Sequence, residues 1–337
     1  MAEHTDSVVA NLVVISYDRL QRRDADEAAR LHLACVEWGF FYLDLGDGGR
    51  EMLKTVDELL PVAREYFAKP FEEKLKDTHE NEDIFQICGY KPLGLDQGNV
   101  KNQKDGCEGL RLPLDLQNRL ADGRMSIPQG IENSWSKVAK FMVEGSAVCN
   151  LVLESLSTSM GLQGEERLEA QHRDKSPSTS TAVLQCYPAV RDLPPNTSQG
   201  HFAHTDAGSI SMLFASEWGL QVHSPRHARW EYVTPRPGCA VVNVGDSLRF
   251  LSEFRLRSSL HRVVPHRERW HANTRYSVLF FLRPNNDASF TDSEGVSWKA
   301  VDWLGRKFGN YRRSHREQKE SAMSTGRKGL MGLWEDS

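Results

Sequence analysis

His204-Thr205-Asp206 is the stretch on which the reading of this chain turns. On a strand, side chains two apart point to the same face, so an imidazole and a carboxylate at this spacing reach one ion. His261, within Ser259-Leu260-His261-Arg262-Val263-Val264, offers a second imidazole from an adjacent strand. Two imidazoles and one carboxylate occupy one face of an octahedral iron(II) and leave three positions open. Zinc accepts the same three ligands. Alone, His-x-Asp also describes a turn with a solvated aspartate, and His261 alone reads as a satisfied core histidine.

Outward from this stretch the pattern is one of short strands. They read as 181–187, 209–215, 220–223, 230–233, 240–244, 262–264 and 276–282, with turn signals at Pro237-Gly238 and Gly245-Asp246. Many short strands with Gly and Pro punctuation indicate a sandwich or barrel. On the last strand Arg275 and Ser277 share a face with Leu279 and Phe281. A guanidinium pointing into a barrel is costly unless it meets an anion, and a bidentate carboxylate meets that need. An arginine at the rim, in water, is the alternative.

The first half of the chain is richer in helix. A strand at 13–17 is followed by a helix capped by Asp24 or Asp26, with Ala28, Leu31, Cys35 and Trp38 on one apolar face. Gly39 ends it, and Phe40-Phe41-Tyr42-Leu43 reads as a buried strand. Residues 52–68 are helix-periodic, but Pro61 is expected to kink or split that helix. Pro70 closes it, and 72–76 begins a further turn. Residues 89–94 and 104–108 show little periodicity and read as a long loop. The longest helical pattern is 131–160, with Trp135, Val138, Phe141, Met142, Leu151, Leu153 and Leu156 toward a core. Residues 164–180 read as a mobile connector, and 321–337 as a partly disordered tail.

Composition narrows the class. At 337 residues and 39% apolar, the chain holds a sizeable core, and its net charge of −4 argues against nucleic acid as a partner. Its six cysteines form no C-x-x-C pair and read as reduced thiols. The start lacks a basic region, and the apolar run 8–15 is broken by Asn11, so neither a signal peptide nor a membrane span is expected. The expectation is a cytoplasmic protein with no membrane partner, a monomer or weak homo-oligomer.

The series His204-Thr-Asp-Ala-Gly-Ser-Ile-Ser-Met-Leu213, Pro237-Gly-Cys-Ala-Val-Val-Asn-Val-Gly-Asp246, the His261 stretch and Arg275-Tyr-Ser-Val-Leu-Phe-Phe-Leu282, in this order, resembles the iron(II)/2-oxoglutarate-dependent dioxygenases of the isopenicillin N synthase-like superfamily. Within it, the branch acting on small molecules and natural products is the most similar. Glu37-Trp-Gly-Phe-Phe-Tyr42 and Tyr66-Phe-Ala-Lys-Pro70 with Lys74 match its N-terminal landmarks. After the first of these the family has Asn-His-Gly, and this chain has Asp44-Leu-Gly-Asp-Gly48. The resemblance implies a mainly β fold with α: a double-stranded β-helix (distorted jelly roll) core, an N-terminal α/β region and packing helices. The expected parts are 1–125, an N-terminal region; 126–180, a long helix and connector; 181–290, the core; and 291–337, a helical tail.

For the site, the resemblance implies His204, Asp206 and His261 as catalytic iron(II) ligands. It implies that Arg275 and Ser277 bind the distal carboxylate of 2-oxoglutarate. Tyr187, before Pro188, matches a tyrosine that hydrogen-bonds the co-substrate, and Gln185 stands where the family often has Asn. The implied reaction takes O2 and 2-oxoglutarate to succinate and CO2 while oxidising a small organic molecule of the secondary-metabolite kind, by hydroxylation, desaturation or ring rearrangement. Ascorbate is the implied reductant in vitro. Two other readings stay open. Relatives that do not use 2-oxoglutarate keep the Arg-x-Ser pair for another carboxylate or oxyanion, and a non-catalytic barrel would bind a small acid.

Arg191, in the loop 189–196 between the strands of Tyr187 and His204, is expected at the cleft mouth facing an acidic or phenolic substrate; its alternative is a solvated pair with Asp192. Phe202 and Phe281 are the expected apolar walls. His201, His223, His227, His266 and His271 are expected on the surface or in loops, with His201 on the strand face opposite His204.

Overall fold

The computed structural model describes residues 8–78, 88–115, 121, 126–173, 176–266 and 273–326. The start of the chain through residue 7, His271, and the expected tail beyond residue 326 lie outside the described residues.

The strands of the N-terminal half are β1 (Val14–Ser16), β2 (Phe40–Asp44), β3 (Gly89–Lys91), β4 (Lys104–Gly106) and β5 (Glu108–Pro113). Then come β6 (Thr181–Tyr187), β7 (Thr197–Gln199), β8 (His201–His204), β9 (Ile210–Ala215), β10 (Leu220–His223), β11 (Trp230–Tyr232), β12 (Cys239–Val244), β13 (His261–Val263) and β14 (Arg275–Leu282). A hairpin of β15 (Ser289–Thr291) and β16 (Ser297–Lys299) follows. The helices are α1 (Tyr17–Gln21), α2 (Ala25–Glu37), α3 (Arg50–Phe67), α4 (Phe71–Lys74), α5 (Trp135–Ser159), α6 (Asp246–Leu251), α7 (Ala300–Tyr311) and α8 (His315–Lys319).

Local chemistry sets these boundaries. The Asp24 carboxylate accepts from the backbone N–H groups of Asp26 and Glu27, at 3.0 and 3.2 Å, and so caps α2. Gly39 ends that helix at φ +63°, where a Cβ would meet the Arg257 carbonyl oxygen at 2.0 Å. Ala28, Leu31, Cys35 and Trp38 are all buried, as their spacing predicts. The expected break at Pro61 does not occur: α3 runs unbroken through it. Pro61 and Asp57, whose carbonyl loses its helical donor, both lie on the exposed side, where water substitutes.

Eight strands form one sheet in the order β1-β2-β12-β9-β14-β6-β5-β3, and four form a second, β11-β10-β13-β8. The large sheet has two distinct faces. Met212, Phe214, Val242, Val244, Val278, Phe280, Leu184 and Leu112 join the apolar cluster that contains Leu31, Val56, Phe141 and Leu153 of the helices. The alternate residues face the small sheet, and the functional cavity opens between the two. This is the double-stranded β-helix with packing helices that the sequence implies.

Two segments differ from expectation. Residues 89–94 and 104–108, expected as loop, contain β3, β4 and the start of β5, and β3 and β5 extend the large sheet past β6. The polar connector after α5 is packed rather than loose. Leu168 and His172 are buried, and the two ring nitrogens of His172 lie 2.7 Å from the Leu168 carbonyl and 2.7 Å from Ser209 Oγ.

Helix α5 crosses the large sheet at a point of close approach. A Cβ on Gly145 would sit 2.8 Å from the Phe280 ring, itself fully buried. Glycine inside a helix ordinarily costs stability relative to alanine, yet here a methyl group overpacks a core that cannot yield. Gly145→Ala is therefore expected to destabilise the fold by about 1–3 kcal/mol. Urea unfolding checks this, and a stabilised variant would refute the close approach.

Candidate active site

The antiparallel pairing of β8 with β13 sets His204 directly across from His261. Asp206 lies just past the end of β8 rather than on it. Its position is held from outside the strand: its carbonyl accepts from Asp246 N–H at 2.7 Å, and Thr205 N–H donates to the Ser324 carbonyl at 3.0 Å. The Thr205 hydroxyl donates to Asp246 at 3.0 Å and accepts from Lys307 Nζ at 2.7 Å. Lys307 is fully buried and also pairs with Asp246.

One ligand atom from each of His204, Asp206 and His261 lies within 4.8 Å of the others. Asp206 Oδ1 is 3.5 Å from His204 Nε2 and 3.7 Å from His261 Nε2. The remaining atoms of the three side chains are engaged. His204 Nδ1 lies 2.9 Å from the Phe202 carbonyl and His261 Nδ1 3.2 Å from the Ser259 carbonyl, so each Nδ1 carries the proton and each Nε2 keeps its lone pair. Asp206 Oδ2 accepts from Ser211 Oγ at 2.6 Å and Asn243 Nδ2 at 2.7 Å. Burial holds His261 down to about 4, so its imidazole is neutral, the form that binds a metal. This donor set fits a divalent ion on all three counts: atom type, spacing and oriented outer partners.

Three of the four residues expected to bind the co-substrate line the same cavity, and Ser277 does not. Across β14 and β6, Arg275 faces Tyr187 and Ser277 faces Gln185. Arg275, Tyr187 and Gln185 all line the cavity with the three ligands. Arg275 is only 1% exposed, its Nε lies 3.4 Å from the Glu217 carbonyl, and its guanidinium stands 5.1 Å from the Tyr187 ring centre. The Ser277 hydroxyl is buried with no hydrogen-bond partner. A cation and a waiting hydroxyl on one strand face fit an incoming carboxylate. Burial keeps the Tyr187 phenol protonated, hence able to donate. Gln185 donates to Cys107 Sγ at 2.8 Å.

The expected substrate residues fare differently. Phe281 lines the cavity. Phe202 is buried but packs behind the site, against His204 and Tyr311 at ring distances of 5.4 and 4.9 Å. Arg191 sits on a single 3-10 turn with its side chain 75% exposed and 3.7 Å from Asp192, and it does not line the cavity. His201 is a correction in the other direction: it lines the cavity, with its ring 4.7 Å from that of His204. The register between β8 and β13 shifts, because His201 and His204 pair with Val263 and His261. One extra residue on β8 turns His201 onto the face of His204. His266 is buried against Trp218 and Tyr232, each at 4.9 Å, rather than at the surface.

Sequence reasoning missed Ser211 and Asn243. Asn243 sits inside Ala240-Val241-Val242-Asn243-Val244, and a lone amide in a buried apolar strand is itself a signal of a polar partner. It also missed Arg111, Arg283, Phe308 and Tyr311, which line the cavity from distant parts of the chain.

Comparison with known proteins agrees with this fold. Residues 179–284 match the family described as the 2OG-Fe(II) oxygenase superfamily, and residues 12–136 match that described as non-haem dioxygenase in morphine synthesis N-terminal. A 2-oxoglutarate-dependent dioxygenase of Gibberella zeae is 35% identical over 329 residues, 96% of this chain and 95% of its own length. Another, from Glarea lozoyensis, is 35% identical over 315 residues, 93% and 91% of the two chains. The fold is shared with a full-length Neurospora crassa protein solved in complex with alpha-KG and thymine: TM-score 0.71, 22% identity, 90% of this chain and 99% of that one. With matched relatives spanning nearly its whole length, this chain belongs to the 2OG-Fe(II) oxygenase superfamily and is a 2-oxoglutarate-dependent dioxygenase.

Proposed function

We propose that His204, Asp206 and His261 hold the Fe(II) of this dioxygenase, and that Arg275, Ser277, Tyr187 and Gln185 receive its 2-oxoglutarate. The observation that carries the reading is the set of three ligand atoms within 4.8 Å, facing a cavity that also contains the buried Arg275. Bound Fe(II) and 2-oxoglutarate supply the oxidising chemistry, coupling O2 to the conversion of 2-oxoglutarate to succinate and CO2 while a small organic molecule is oxidised.

The chain's own part is to bind, orient and exclude. Ser211 and Asn243 fix the Asp206 carboxylate so that one oxygen faces the ion. Arg275 and Ser277 meet one end of the co-substrate and set its direction along the barrel. Leu213, Leu220, Val263 and Leu279 keep the cavity wall apolar and limit water at the reacting centre. A small organic substrate is consistent with the thymine bound by the Neurospora neighbour, a small molecule in the same fold. A cytoplasmic, monomeric or weakly associating protein without nucleic-acid or membrane partners completes the reading. All six cysteines are free thiols, and among the described residues no helix is long and apolar enough to cross a membrane.

His204→Ala and His261→Ala are each expected to abolish Fe(II) binding and succinate formation while thermal unfolding of the apoprotein stays near wild type. Unchanged turnover in either variant removes that residue from the site. Asn243→Ala is expected to weaken Fe(II) affinity about 10- to 100-fold, read by anaerobic titration. Arg275→Leu removes a charge-assisted pair worth about 1.5–3 kcal/mol, so the half-saturating 2-oxoglutarate concentration should rise roughly ten- to more than a hundred-fold. A wild-type 2-oxoglutarate requirement in that variant would defeat the assignment.

A further inference from the structure

Among the described residues three imidazoles line the cavity, those of His201, His204 and His261. In two of them Nδ1 lies against the carbonyl two residues earlier in the chain. The third differs. His201 is half-buried, and its Nδ1 is wholly buried with no hydrogen-bond partner. A buried ring nitrogen left unpaired weakens a fold, and native interiors rarely keep one.

The backbone is shaped to put this ring where it is. On a regular strand His201 and His204, three apart, would face opposite ways. Three steps of β8 instead span two of β13, and that bulge turns His201 inward. Gly200 makes room for it. Its φ is +107°, and a Cβ there would lie 2.0 Å from the carbonyl oxygen of Val263, the residue paired with His201. A glycine within a strand and a break in its ladder both weaken the sheet. A regular strand would have kept the ring off the cavity face.

The place of the ring narrows what it can meet. Five residues of the small sheet line the cavity. Leu220 and Val263, paired across β10 and β13, are apolar, and His204 and His261 are the ligands assigned to the metal. His201 is the fifth, so it is the polar group this wall has to spare. Its ring centre lies 4.7 Å from that of His204, edge to face at 77°. Arg275, Tyr187 and Gln185 stand on β14 and β6 of the large sheet, the opposite wall. The end of 2-oxoglutarate received there is out of reach of His201, which leaves the organic molecule as its partner. Burial favours the neutral ring, which carries one N–H and one lone pair and so suits a neutral polar group. Small-molecule pockets are mostly apolar, with a few placed polar groups that fix orientation.

We infer that His201 positions the molecule that is oxidised, by a hydrogen bond between its imidazole and a hydroxyl or amide of that molecule, whose apolar part lies on Leu220 and Val263. The inference rests on the reading that His204 holds the iron. The contact then sets which carbon of the molecule faces the ion.

The test uses the full chain loaded with Fe(II) and saturating 2-oxoglutarate under argon. Phenol, benzyl alcohol and benzamide are titrated by calorimetry, each beside an apolar molecule of similar size: toluene, ethylbenzene and isopropylbenzene. The readout is the ratio of polar to apolar affinity, compared between wild type and His201→Phe, which keeps a ring against Phe202 and His204 but removes both nitrogens. In at least one pair the ratio is expected to fall roughly two- to tenfold, the size of one neutral hydrogen bond. His201→Leu, the second variant, is expected to lower it likewise. The urea midpoint of the apoprotein should stay near wild type in the variants, because no hydrogen bond of Nδ1 is lost. An unchanged ratio in every pair, or binding of no polar probe by wild type, overturns the inference. A lowered midpoint in both variants also overturns it, since the ring then serves the fold. Failure of wild type to bind Fe(II) or 2-oxoglutarate is a separate result, which strikes the underlying reading of the site.

Discussion

The site depends on one strand pairing, that of β8 with β13. It brings two imidazoles together, with ring centres 4.4 Å apart and planes tilted by 53°. A slip of one residue in either strand would send one imidazole to the outer face. The bulge between His201 and His204 makes the register singular, because only one alignment accommodates the extra residue. Asp206 then joins the pair through the backbone bond from Asp246, so helix α6 and the strand end are set together.

Around that pairing several buried charges are matched in place. Lys307 meets Asp246 and Thr205, Lys91 meets Asp105, and Lys74 meets Glu108 at 2.7 Å, with the Tyr90 hydroxyl donating to the same carboxylate at 2.6 Å. Removing one partner of such a pair strands the other in a poorly solvated place, which costs more than the pair itself contributes. Lys307–Asp246 ties α7 to α6, 61 residues earlier, and Lys74–Glu108 ties α4 to β5 of the large sheet.

Much of this is legible in the sequence, for physical reasons. Strands after residue 180 read as short, largely apolar runs between turn signals, and parity alone assigns Arg275, Ser277 and Phe281 to one face. The strands β3 to β5 are not legible, because their buried positions include Lys91, Asp105 and Glu108, charges that read as loop until their partners are known. Parity misplaces His201 because counting by twos fails across a bulge. Chain order misplaces Arg191 because it fixes where a loop starts and ends, not where it travels. That Arg111 and Arg283 line one cavity is not legible, because it depends on β5 and β14 lying on either side of β6.

Helix α7 has a double duty. Phe308 shapes the space offered to the organic molecule, while its neighbour Lys307 and, one turn on, Tyr311, whose hydroxyl lies 3.3 Å from the Thr205 carbonyl, are tied to the segment that bears Asp206. The cavity wall and the support of the Asp206 segment thus rest on adjacent residues of one helix. A change at Phe308 alters the cavity wall, whereas a change at Lys307 loosens the contacts of Thr205 and Asp246 beside Asp206. The cavity wall and the support of Asp206 therefore cannot be altered by exchanging this helix as a unit without touching both.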